Sequence, residues 1–180
     1  LFGTRYGSVH RVFKTDKDED FITVPDGVAH FLEHKLFENE DGSDTFAHFA
    51  ALGANCNAFT SNEMTAYLFS ATDHYEDNLK VLLRFVTTPY FTPETVEKEM
   101  GIIGQEIDMN EDAPDTKIFE LLMGAMYRNH PIRHPILGTR QTIGRITPEV
   151  LHKCHEAFYT PGNMLLCVVG DVEAEKIRQI

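Results

Sequence analysis

His30, Glu33 and His34 fall within five consecutive residues, His30-Phe31-Leu32-Glu33-His34, which read H-x-x-E-H. On a helix turning 100° per residue the two imidazoles lie about 40° apart, with Glu33 about 60° to the side. All three then address one region of space. Two neutral imidazoles at i and i+4 make half of a tetrahedral zinc site, and a neighbouring carboxylate is placed to take a proton from a metal-activated water. The plainer reading is an amphipathic helix with its His and Glu in solvent. Against it, Val28, Ala29, Phe31, Leu32, Leu36 and Phe37 surround the polar trio. Such a helix is mostly buried, buried polar groups need partners, and a metal would satisfy all three.

A catalytic zinc usually takes three protein ligands and leaves one position open. The third should come from residues 92–112, TPETVEKEMGIIGQEIDMNED. Thr92 is a good helix N-cap and Pro93 suits the first helical position. Val96, Met100, Ile103 and Ile107 recur at helical spacing. Glu99 and Glu106 share a face two turns apart, separated by about 10 Å of rise. A straight helix cannot bring both to one ion, so one is expected to be a ligand and the other to act from outside the ligand set. The bland alternative is a solvated acidic face. Gly101 and Gly104 count against it, because mid-helix glycine costs about 1 kcal/mol and is tolerated where another backbone approaches, as beside a metal-bearing helix.

The elements that would position these groups alternate along the chain. Residues 1–13 read as strand. Helices are expected at 27–38, at 44–53 with Gly53 as its stop, and at 74–88, 93–111, 114–127 and 148–158. Strands are expected at 54–60, 64–72 and 164–170, the first two joined by a Ser61-Asn62-Glu63 turn. Paired strands beside runs of helices indicate an α+β fold, a mostly antiparallel sheet with helices packed on one face.

Several blocks together resemble the pitrilysin/insulinase family of zinc peptidases, for which the inverted H-x-x-E-H order is a mark. Gly27-Val28-Ala29-His30-Phe31-Leu32-Glu33-His34-Lys35-Leu36-Phe37 is similar to the family's metal-binding helix. Leu52-Gly53-Ala54-Asn55-Cys56-Asn57-Ala58-Phe59-Thr60, continued by Thr65-Ala66-Tyr67, resembles the strand that follows. Glu97-Lys98-Glu99 through Gln105-Glu106-Ile107 resembles the helix carrying the third ligand. Tyr159-Thr160-Pro161-Gly162-Asn163-Met164 with Val168-Val169-Gly170-Asp171 resembles a later helix-to-strand turn. The GTRYGS and PDG stretches bring it nearest to bacterial processing-peptidase-like members.

The resemblance implies a zinc endopeptidase acting on extended peptides. His30, His34 and Glu106 would hold Zn²⁺, with Glu33 as general base and Glu99 orienting the ligands from behind. The strand through Asn57 and Ala58 would take the substrate as an added strand. It further implies that residues 1–180 are an N-terminal catalytic domain, incomplete at its C-terminal end, whose homologous second domain is absent. Pairing as a homodimer, or with a related subunit, is open to such a chain. The competing class is a silent family member serving as scaffold or partner subunit. Such members typically lose part of H-x-x-E-H, which is whole here. A structural-zinc module is a third reading, though no fourth Cys or His ligand is placed.

Composition narrows the setting. There are 28 acidic against 16 basic residues, a net charge of −12, which disfavours nucleic acid and suits cationic peptides, or simply aids solubility. No apolar run is long enough for a membrane span, and no signal peptide is visible. Cys56, Cys154 and Cys167 form no C-x-x-C, so a reducing, cytoplasmic setting is expected. Glu38 to Asp44 reads as a solvated loop. His130 and His134 sit among prolines and are expected in a loop. His152 and His155 are expected on a helix surface with Cys154 pointing away. Phe46, Phe49, Phe59, Tyr67 and Phe69 are expected mainly in the core, with part of the set open to a role in the floor of a substrate groove.

Overall fold

The computed structural model describes residues 1–180. In chain order it contains β1 (Phe2–Thr4), β2 (Val12–Phe13), β3 (Ile22–Thr23), α1 (Val28–Leu36), α2 (Thr45–Ala51), β4 (Ala54–Thr60) and β5 (Thr65–Ala71). There follow α3 (Tyr75–Thr87), α4 (Pro93–Glu111), α5 (Pro114–Met126), α6 (Arg140–Ile143), α7 (Pro148–Phe158), β6 (Met164–Leu166) and α8 (Ala174–Gln179), with single 3-10 turns at Pro131–Arg133 and Pro161–Asn163. The main sheet has the order β4-β5-β1-β6 and every pairing in it is antiparallel. β2 and β3 form a separate ribbon. This is the expected α+β architecture.

Helix α4 starts where its sequence says it should. The Thr92 hydroxyl accepts a bond from the Thr95 amide at 3.2 Å, and Pro93 follows, which satisfies an otherwise unpaired amide of the first turn. Asp44 caps α2 in the same way through the Phe46 amide at 2.8 Å. Helix α1 has no side-chain cap. It begins after Gly27 at φ 92, where any Cβ would strike the Leu137 carbonyl. Only glycine lets the chain enter α1 under that loop.

α1 packs against β4, β5, α4 and α7. Phe31, Leu32 and Leu36 are buried with Leu82 and Val86 of α3, Ile103 of α4 and Leu151 of α7. Along β4, Ala54, Cys56, Ala58 and Thr60 alternate with the exposed Asn55, Asn57 and Phe59, so one face meets the helices and the other does not. β4 is also one edge of the sheet.

Two expected strands are shorter than their patterns suggested. The 1–13 segment leaves the sheet after Thr4, because the amides of Ser8 and Val9 bond to the carbonyls of Ser61 and Asn62 at the tip of the β4–β5 hairpin. The 164–170 segment pairs with β1 over Met164–Leu166, and Cys167 exchanges two further bonds with Leu1, its amide to the Leu1 carbonyl and its carbonyl from the Leu1 nitrogen.

Candidate metal centre

His30, Glu33 and His34 come from α1, anchored by the buried Phe31, Leu32 and Leu36 between and beside them. Glu99 and Glu106 come from α4, which lies against α1. The two imidazoles face each other with ring centroids 4.6 Å apart. His30 Nε2 lies 3.6 Å from Glu106 Oε1, and His34 Nε2 lies 3.6 Å from Glu106 Oε2. One ligand atom from each of His30, His34 and Glu106 falls within 4.8 Å of the others. Tetrahedral zinc with bonds of 2.0–2.1 Å separates its ligand atoms by about 3.3 Å. The 3.6 Å gaps are too long for good hydrogen bonds and near the spacing around such an ion. The donor set therefore fits zinc.

Glu99 stands behind this cluster. Its Oε1 is 2.9 Å from His34 Nδ1, which makes Nδ1 the donor and leaves the Nε2 lone pair facing Glu106. His30 Nδ1 is buried without a partner, so packing rather than a hydrogen bond orients that ring. Glu33 is buried beside the pair and accepts a bond from the Thr60 hydroxyl at 2.5 Å.

The charges follow from these surroundings. Burial, aided by the neighbouring His34, pulls His30 down to about 3, so it is a neutral, donor-ready ring at neutral pH. Burial raises Glu33, partly countered by the Thr60 bond. His34 is pulled down by burial but raised overall by its bond to Glu99 and by the charges of Glu99, Glu106 and Glu33. Two carboxylates against one shared imidazole make the centre attractive to a cation.

Asn57 and Ala58 lie on the outer edge of β4. The Ala58 amide is taken by the Asn57 side chain at 2.9 Å rather than by a strand. An open groove of about 920 Å³ runs past Glu33, His34, Asn57, Ala58 and Glu99, with Phe37 and Phe46 stacked in its wall. Glu38, Glu40 and Asp44 reach the same groove; the 38–44 loop is thus part of its wall as well as solvated.

Other expectations need correction. His155 is buried, not superficial, while His152 is exposed as expected and Cys154 points inward into the core. His155 Nε2 bonds the Val86 carbonyl at 2.9 Å and the ring stacks on Tyr159, so α7 turns this side toward α3. His130 and His134 sit at the Pro131–Arg133 turn as expected of loop residues. Phe49 and Tyr67 are core residues, but Phe46 and Phe59 are exposed on the groove wall and the outer sheet face. Gly101 meets no neighbour, and Gly104 lies under the Arg140 guanidinium rather than a backbone. Arg140 is held there by paired bonds to Asp108.

Sequence reasoning gave no role to Thr60 or to the buried hydroxyl pair Tyr67–Tyr159, 2.8 Å apart. The signal for Thr60 was the strand alternation, which puts it on the same face as Ala58, toward α1.

Residues 24–140 match the family model described as insulinase (peptidase family M16), and residues 145–180 match that described as the peptidase M16 inactive domain. An uncharacterized zinc protease, YmfH, of Bacillus subtilis is 51% identical over 98% of this chain and 41% of its own length. A second from the same organism, YmxG, is 33% identical over 86% and 39%. The crystal structure of a putative M16-like peptidase from Alicyclobacillus acidocaldarius superimposes with a TM-score of 0.94 at 47% identity, over 99% of this chain and 41% of that one. A Helicobacter pylori protease shares the fold, with a TM-score of 0.83 at 21% identity. The chain thus spans about two fifths of the length of the relatives it matches.

Proposed function

The chain belongs to the insulinase family, peptidase family M16, and from that premise we propose that residues 1–180 are the N-terminal, metal-bearing domain of a zinc-dependent endopeptidase for extended peptides. The observation that carries this reading is the convergence of His30, His34 and Glu106 from two helices, with Glu33 held beside them.

His30, His34 and Glu106 would hold the ion. When bound, Zn²⁺ would acidify water toward neutral pH and polarise the scissile carbonyl. Glu99 keeps His34 in the tautomer that offers Nε2. Glu33 takes the proton of the attacking water and passes it to the leaving amine. Asn57 and Ala58, on an unpaired sheet edge, would pair with the peptide backbone once the Asn57 side chain releases the Ala58 amide. Main-chain pairing tolerates many sequences, and the acidic groove wall favours cationic peptides. A homologous second domain, in the remainder of a longer polypeptide, would close the other side of the groove. The three cysteines are all free, which suits a cytoplasmic setting. No helix is long and apolar enough to cross a membrane.

A silent scaffold or partner subunit is the second reading, favoured by the inactive-domain match of residues 145–180. That segment contributes none of the three ligands. Zinc content and cleavage of a peptide library by the full-length protein decide the matter. Zinc with chelator-sensitive cleavage is expected; zinc without cleavage would establish the silent reading.

A further inference from the structure

Glu33 has two carboxylate oxygens, and the protein treats them differently. Oε2 accepts the Thr60 hydroxyl at 2.5 Å. Oε1 takes no hydrogen bond from any side chain and is not sealed from solvent. Thr60 ends β4 and stands directly opposite Thr65, the first residue of β5. The hairpin closes just beyond them through the Ser61 amide and the Met64 carbonyl, 2.8 Å apart. Thr65 is fully buried, and its own hydroxyl proton goes to the Tyr6 carbonyl at 2.8 Å. The Thr65 oxygen lies 3.3 Å from that of Thr60, so it does not compete for Glu33. A hydroxyl has one proton to give, and that of Thr60 is committed to Glu33.

We propose that Thr60 is the positioning residue of Glu33, fixing Oε2 so that Oε1 alone is presented to the attacking water. This rests on the reading of Glu33 as general base given above. The anchor is rigid because it belongs to a paired strand with a short closed turn, not to a loop. It also ties two parts of the site together. Asn57 and Ala58 on the β4 edge register the peptide, and Thr60 on the same strand registers the base. The scissile carbonyl and the proton acceptor are thereby referenced to one segment of backbone. Reacting groups held in this way avoid an orientational search in the rate-limiting step.

The test uses the full-length protein. Thr60→Val keeps the β-branched shape suited to a strand and removes only the donor. It is expected to bind zinc as the wild type does and to keep its KM, while kcat falls about tenfold or more, the usual scale for losing a hydrogen bond to a charged group. Thr60→Ser should restore most of kcat, and Thr60→Ala should behave as Thr60→Val does. Independently of turnover, crystals of the metal-free proteins should show the Glu33 carboxylate displaced in Thr60→Val and in its original place in Thr60→Ser. Wild-type kcat in Thr60→Val, with Glu33→Gln inactive, would overturn the proposal and leave the general base intact. Equal loss in Thr60→Ser and Thr60→Val, or an unmoved Glu33, would show that Thr60 serves only the hairpin. Full turnover by Glu33→Gln would remove the base assignment and the proposal with it.

Discussion

His34 Nδ1 and Glu99 Oε1 are 2.9 Å apart, on the side of the imidazole away from Glu106. One helix, α4, thus touches the same ring twice, two turns apart. Glu99 fixes its tautomer and Glu106 shares the space in front of it.

The two glutamates should therefore differ in what they cost. Glu106→Ala removes a donor and is expected to release zinc under mild chelation. Glu99→Ala removes only the orienting bond and should weaken zinc by about 10 to 100-fold. Competition with a chelator of known affinity measures both. A zinc-bound structure with Glu99 on the ion and Glu106 turned away would reverse the roles.

Glu33→Gln preserves size and polarity but cannot accept the proton. Zinc content should stay near that of the wild type while kcat falls by about 10²-fold or more. His34→Ala should instead lose the metal. Side-by-side metal analysis and kinetics distinguish them, and near-normal hydrolysis by Glu33→Gln would sink the assignment.

Tyr67 and Tyr159 share a buried hydroxyl pair at 2.8 Å, where burial raises both phenols well above their ordinary value. Changing one to Phe strands the other hydroxyl, and each single variant should lose about 1–3 kcal/mol of stability. The double variant leaves no stranded group, so its loss should be well below the sum of the singles. Urea unfolding of the four proteins tests this; additive losses would show that the pair is not coupled.

What was legible in the sequence was whatever local pattern fixes. Helix α4 lies where its Thr-Pro start and apolar spacing put it, Pro93–Glu111, and α7 likewise, Pro148–Phe158. The H-x-x-E-H spacing placed three groups on one helix without any tertiary information. What was hidden depended on contacts between distant segments. Residues 5–11 carry a strand-like pattern, yet the Ser61 and Asn62 carbonyls capture the amides of Ser8 and Val9. His155 reads as a surface group until the Val86 carbonyl is seen above it. Thr60 reads as an ordinary strand residue, since its partner is 27 positions away in the chain.

Acid should weaken the metal-free chain, and His155, His30 and Asp18 each contribute, the His30 share being lost as pH falls from about 6.5 toward 3. Burial lowers His155 below its ordinary 6.5, so the unfolded state binds the extra proton first. The stability from this group is present above about pH 6.5 and is lost as pH falls below it. The bond from Lys153, with those from Thr15, lowers Asp18 from 3.8 to about 2. Its contribution is present above 3.8 and is lost as pH falls toward 2. Asp18→Asn should remove the Asp18 contribution, flattening the profile below about pH 4, and leave the histidine contributions in place. Urea midpoints across pH 2 to 7 measure both, and an unchanged profile in Asp18→Asn would refute the Asp18 contribution.

The last expectation concerns the remainder of the polypeptide, since the chain spans only 41% of the YmfH relative. All three candidate ligands come from α1 and α4, so residues 1–180 need nothing further to hold an ion. Holding a peptide is different. The groove past Asn57 and Ala58 is open on one side, and a strand added to the β4 edge would leave its far side in water. Orientation of the reacting groups contributes several kcal/mol to rate, and a half-open groove supplies little of it. Residues 1–180 alone should therefore bind zinc but cleave peptides very slowly, and adding the rest of the full-length protein should restore activity. The comparison is kcat/KM for the fragment and the full chain at equal zinc occupancy. Equal values would show that the second half is dispensable and that the groove needs no opposing wall.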